Sequence, residues 1–247
     1  MIRTLLQAAA ISLAALPALA LDLETMSDSE RETFRAEVRS YLLDHPEVIM
    51  EAVELLQQRD AAAEAAHDLA LVKAFSDEIF DDGYSWVGGN PDGDITLVEF
   101  VDYRCGYCRK AHEEVKALVK GDGNIRLIYK ELPILGEGSV QSSRFAIAVK
   151  QIAGNEAYGE AHEALINLKA DPTPTVLSRL AEALGLDAAA ILEQMPSASV
   201  TQEISRTRAL ARELSISGTP TFVMQDQLLR GYLPLEAMQS LVAEKRG

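Results

Sequence analysis

Cysteine is almost missing from this chain: Cys105 and Cys108 are the only two in 247 residues. A multi-disulfide scaffold is therefore excluded, and without a second pair so is a four-ligand structural zinc site. Haem attachment would need a histidine directly after Cys108, where Arg109 stands. Positive charge is also scarce, with 23 lysines and arginines against 38 acids and a net charge of −15. Binding phosphates depends on those basic side chains, so nucleic acid is excluded as a partner. No apolar run reaches the ~20 residues needed to cross a bilayer. Glycine and proline are both absent from 47 to 82, leaving nothing to interrupt a helix there.

The longest apolar stretch lies at the start. Met1-Ile2-Arg3 gives a positive beginning, Leu5 to Leu16 an apolar core and Ala18-Leu19-Ala20 a small-x-small cleavage site. Residues 1–20 read as a secretory signal peptide, removed on export. The alternative, a membrane tether, is opposed by the short core and by Pro17. The mature chain would start near Leu21 with 22 basic residues against 38 acidic ones, a soluble, exported protein.

Residues 21–80 read as a helical arm. Ser27-x-x-Glu30 matches a capping box, and Phe34, Val38, Tyr41 and Leu42 share one helical face. Pro46 suits the first turn of a second helix, on which Ile49, Val53 and Leu56 repeat. A helix of ~30 residues extends about 45 Å, more than a small domain needs to cover itself. Such an arm pairs with copies of itself or folds back on the body, and Asp60 and His67 interrupt a strict heptad seam. Residues 81–94, "DDGYSWVGGNPDGD", are rich in turn signals and read as a linker. Trp86, the only tryptophan, would plug the start of the next domain.

That domain, 95–247, opens with "ITLVEFVDY", a strand buried on both faces. A helix from about Cys105, a strand over 124–132, helices over about 139–214, two short strands and a closing helix follow. The order is β-α-β, a helical block, then β-β-α, an α/β class.

Three chemistries suit the cysteine pair. A stabilising staple gains little, because a four-residue loop yields roughly 3 kcal/mol less than a hundred-residue one. Cu(I) capture is the second: Cys105, Cys108 and His112 fall on one helical face, although His112 also reads as an exposed helix residue. A redox couple is the third, since C-x-x-C here joins a buried strand to a helix. The helix N-terminus, with Arg104, Arg109 and Lys110 nearby, favours a thiolate on Cys105. Cys108, one turn on, would face the core and attack Cys105 to release a partner. Downstream, Gly218-Thr219-Pro220 heads a strand, where proline is tolerated.

The C-G-Y-C at a strand–helix junction together with Thr219-Pro220 resembles the thioredoxin superfamily, and the intervening helices resemble its DsbA-like branch. The resemblance covers roughly 88–245 and implies a thioredoxin fold with a helical insertion. It implies that Cys105 is the nucleophile, Cys108 the resolving thiol and Thr219-Pro220 a cis-proline loop whose backbone pairs with substrate. Glu99 matches a buried acid that the family uses to shuttle protons; without the resemblance it reads as a strand-edge carboxylate. The Gly-Tyr dipeptide, Thr219 and the arm resemble disulfide isomerases of the DsbC type, and the arm resembles oligomeric DsbA-like proteins of copper-sensitivity suppression. The DsbC dimerising region contains strands, whereas this arm reads as all helix. The expectation is a periplasmic thiol:disulfide oxidoreductase, isomerase or reductase in preference to dithiol oxidase. It would need no cofactor beyond a Cys105–Cys108 disulfide and no metal. Its partners would be cysteine-containing exported proteins, a membrane redox partner that recycles the couple, and further copies of itself.

Overall fold

The computed structural model describes residues 25–247, so the expected signal peptide, 1–20, lies outside the described residues. The chain forms two compact units that divide between Arg59 and Asp60. In the first unit, α1 (Asp28–Asp44) begins with the expected capping box: the Ser27 hydroxyl accepts from the Glu30 N–H, and Glu30 accepts from the Ser27 N–H at 2.9 Å. No residue of α1 is buried. Phe34, Val38, Tyr41 and Leu43 are exposed, as are Ile49, Met50, Val53, Leu55 and Leu56 from α2 (Glu47–Ala74).

The second unit takes in the rest of α2, and α3 (Ser76–Phe80) follows. Val72 and Ile79 are buried against one face of a five-stranded sheet, so residues 60–80 of the expected arm pack with this body. Burying Ile79 fully contributes about 2 kcal/mol to that seat. The strands are β1 (Trp86–Gly89), β2 (Ile95–Val101), β3 (Ile125–Glu131), β4 (Thr221–Met224) and β5 (Gln227–Arg230), in the spatial order β1-β3-β2-β4-β5. β2 and β3 run parallel, joined by the crossover helix α4 (Gly106–Asp122); the other pairings are antiparallel. Side chains of a strand alternate between faces. Val98 and Phe100 therefore meet α2 and α3, while Leu97 and Val101 meet α4 and the helical block. That block is α5 (Glu137–Ile166, kinked at Gly154), α6 (Pro174–Ala183), α7 (Ala188–Gln194) and α8 (Ala198–Glu213); α9 (Leu235–Arg246) closes the chain. This is the α/β thioredoxin fold with a helical insertion.

The stretch expected to be a linker holds a strand. β1 is four residues long and half glycine, a composition that weakens any strand signal, and it is held by its ladder with β3. Trp86 opens it and stacks on Tyr129 and Tyr158 at 5.1 and 5.5 Å, its indole N–H donating to the Asn155 carbonyl. The next device is an ion pair sealed under the sheet. Lys130 has no exposure, and its ammonium donates to Asp82 at 2.6 Å and to Ser85 at 3.2 Å. Burial pushes the ammonium of Lys130 down, and the Asp82 carboxylate offsets that. Asp82→Ala should therefore cost about 2–3 kcal/mol, below the usual loss for half a buried pair because Ser85 remains. Urea unfolding of the variant checks this; Lys130→Met in the same background should recover most of the loss.

Candidate active site

Cys105 sits at the N-cap of α4, where β2 delivers the chain through Asp102, Tyr103 and Arg104. Its backbone is extended, and its N–H donates to the Asp102 carbonyl at 3.0 Å. Cys108 lies one turn on, among the buried residues of α4 with Ala111, His112, Val115 and Leu118. Both cysteines are free thiols, 3.5 Å apart. Cys105 keeps 8% exposure and Cys108 none, so a substrate can reach only the first sulfur.

The cysteines meet Thr219-Pro220 across a gap of more than a hundred residues. That peptide bond is cis, and the Cys105 thiol donates to the Thr219 carbonyl at 3.1 Å. The Thr219 hydroxyl is buried towards Cys108, where it favours the thiolate. Glu99 is the third element. It lies in register between Tyr129 on β3 and Phe222 on β4, hence on the sheet face that the cysteines share. Its exposure is 1% and no ion pair reaches it among the described residues. Burial, then charge on Cys105, pushes its carboxyl up to about 8. Burial likewise pushes the Cys108 thiol far up; Glu99 adds to this, and the Asp102 backbone N–H opposes it. A buried thiol that resists ionisation beside a buried acid that titrates near neutrality is a pair able to pass one proton.

The three expected basic groups have other partners. Arg104 binds the Ala170 carbonyl and Asp171, and Arg109 binds the carbonyls of Tyr103 and Leu168, so both tie the loop after α5 to the cysteine loop. Lys110 lies over the Tyr232 ring at 4.1 Å. His112 is neither exposed nor paired with the cysteines: it is buried, with Nε2 2.9 Å from Glu163. His112, Glu113 and Glu163 bring ligand atoms within 4.8 Å of one another, but neither cysteine joins them and Lys116 already binds Glu163.

A second buried acid was not foreseen. Glu131 accepts from the hydroxyls of Tyr103, Tyr158 and Ser143 at 2.6 to 2.7 Å. Burial outweighs these three donors and pushes its carboxyl up to about 7. Tyr103 also bonds His162, which burial and the neighbouring His112 push down to about 3, keeping it neutral. The period-two alternation of Ile125, Leu127 and Tyr129, which puts Glu131 on their face of the strand, is the sequence signal that could have found it.

The model of the DsbA-like thioredoxin domain family matches residues 96–243. The chain belongs to that family. The DsbA-like domain is preceded by a match at 30–63 to the copper resistance protein ScsC N-terminal domain, within the expected arm. Among solved structures, a thioredoxin-like oxidoreductase from Silicibacter pomeroyi DSS-3 is 42% identical, with a TM-score of 0.64 over 69% of this chain and 96% of that one. BcfH from Salmonella enterica Typhimurium is 26% identical, with a TM-score of 0.73 over 89% of this DsbA-like chain and 97% of its own. Among curated proteins, Na(+)/H(+) antiporter NhaA 3 of Salinispora tropica is 29% identical over 156 residues, 63% of this chain and 24% of the antiporter. The chain thus spans about a quarter of that relative's length.

Proposed function

We propose that this DsbA-like protein is an exported, periplasmic thiol:disulfide oxidoreductase acting on cysteine-containing proteins, with isomerase or reductase use ahead of dithiol oxidation. The observation that carries the reading is the pair of adjacent free thiols, one slightly exposed at a helix N-terminus and the other sealed beneath it. The Cys105 thiolate attacks a substrate disulfide, forming a mixed disulfide and releasing one substrate thiolate. Cys108 then attacks the Cys105 sulfur, its proton passing to Glu99 in those molecules whose Glu99 has first released its own proton to water, a fraction that grows towards pH 8. The second substrate thiolate leaves, and the couple is a disulfide. Two electrons have moved from the couple to the substrate, and a membrane redox partner returns them. The Thr219 backbone, already within hydrogen-bond reach of Cys105, aligns the substrate chain.

Isomerisation needs a held substrate. The exposed apolar residues of α1 and of α2 up to residue 59 supply a surface through which copies of the chain join. The test compares the chain from Leu21 with one starting at Asp60, each given a substrate with scrambled disulfides in mild glutathione buffer. Only the longer chain is expected to restore native activity. Rapid oxidation of a reduced substrate by both, with no unscrambling, would make this a dithiol oxidase. Stoichiometric Cu(I) binding that needs both cysteines, without turnover, would favour a copper-binding role, the reading suggested by the name of the ScsC domain.

A further inference from the structure

The residue that ties both cysteines to the rest of the body is Asp102, which none of the chemistry above uses. It has no exposure. Its carboxylate accepts three backbone N–H groups: Arg104 at 2.8 Å on one oxygen, and Ile134 at 2.8 Å and Leu135 at 3.1 Å on the other. No lysine or arginine pairs with it among the described residues. A carboxylate buried without a cation is costly, and these three donors are what offsets the cost. One side chain thus clamps the loop after β3 to the loop before α4. Its own backbone faces the couple in both directions: the carbonyl receives the Cys105 N–H, and the N–H favours charge on Cys108.

We infer that Asp102 is a positioning residue for the resolving step, holding its backbone against the Cys105–Cys108 turn so that Cys108 can attack the Cys105 sulfur. The inference rests on the exchange reaction proposed above. An aspartate suits the task where an asparagine does not. The carboxylate offers an acceptor oxygen to each side of the clamp, whereas an amide offers one oxygen and turns an N–H₂ towards the other donors. Rotating the amide can satisfy Arg104 or the pair at 134–135, not both. The loop then loosens, and Cys108 loses a hydrogen bond to its ionised form, a contribution that corresponds to about tenfold in rate.

Glutathione disulfide separates the two steps on the full chain. The reduced protein first forms a mixed disulfide at Cys105 with release of one glutathione. Attack by Cys108 then releases the second glutathione and closes the couple. Acid quenching and mass measurement follow both species. Asp102→Asn is expected to form the mixed disulfide within about twofold of the natural chain and to resolve it about tenfold more slowly, so that the intermediate accumulates. Equal slowing of both steps, or resolution within twofold of the natural rate, overturns the inference. If Asp102→Asn does not fold, Asp102→Ser carries the same test, because its hydroxyl still serves Arg104 but cannot reach 134–135. Failure of the natural chain to form any mixed disulfide would instead sink the oxidoreductase reading itself.

Discussion

Glu99→Gln should stabilise the folded protein by about 3 kcal/mol at pH 7 and leave it almost unchanged at pH 4. An exposed glutamate ionises near 4.5, whereas burial in the sheet, helped by Cys105, keeps the Glu99 carboxyl protonated up to about 8. Between these values the folded chain binds one proton more than the unfolded chain. Stability therefore falls as pH rises through this window, by ~1.4 kcal/mol per unit, and levels off above about 8. Glutamine has no charge to desolvate and escapes the whole penalty. Urea unfolding at pH 4, 7 and 9 checks the sign: the two proteins should converge in acid and separate by about 5 kcal/mol in alkali. Parallel curves at all three values would remove Glu99 as the source. The same variant should resolve mixed disulfides more slowly, because the group proposed to take the Cys108 proton is gone. A gain in stability with a loss in rate marks a group retained for chemistry.

Cys105→Ser should lower disulfide exchange to the uncatalysed background, while Cys108→Ser should trap substrate. The asymmetry follows from access. Cys105 alone offers a sulfur to solvent, and a serine hydroxyl there is not ionised near neutral pH. Cys108 has no exposure, so removing it spares the first attack and blocks only release. Gel shift under non-reducing conditions distinguishes the two: a ladder of covalent complexes is expected for Cys108→Ser and none for Cys105→Ser. Covalent complexes of equal abundance from both would reverse the assignment of nucleophile and resolver.

The parts of the site that could be read in the sequence are those whose geometry is local or carried by a special residue. Cys105 and Cys108 are spaced by one helical turn after a run of β-formers, so strand, junction and helix follow from neighbours. Thr219-Pro220 was visible because proline heading a strand is rare. Glu99 was singled out only through the family resemblance, since on the residues alone it read as a strand-edge carboxylate. The polar interior was not legible, because its partners are far apart in sequence. Tyr103 meets Glu131 across 28 positions, Arg104 meets Asp171 across 67, and Asp102 meets Leu135 across 33. Nothing in a charge pattern announces such pairs. His112 is different: it is spaced with Cys108, Ala111 and Val115 as one helix face, so its burial was readable from periodicity, which the metal-ligand spacing obscured. β1 was missed for a third reason, since two of its four residues are glycines and its order comes from β3.

The stacked Trp86 turns the protein into its own gauge. It is the only tryptophan in 247 residues, and it belongs to the unit from Asp60 onward. Fluorescence excited at indole wavelengths therefore originates in that unit alone, whereas circular dichroism sums the helices of both units. Following one unfolding curve by both signals separates loss of the body from loss of the arm without labels, mutations or truncation. Because its ring lies on Tyr129, the cross-strand neighbour of Glu99, the same emission sits within reach of that buried acid.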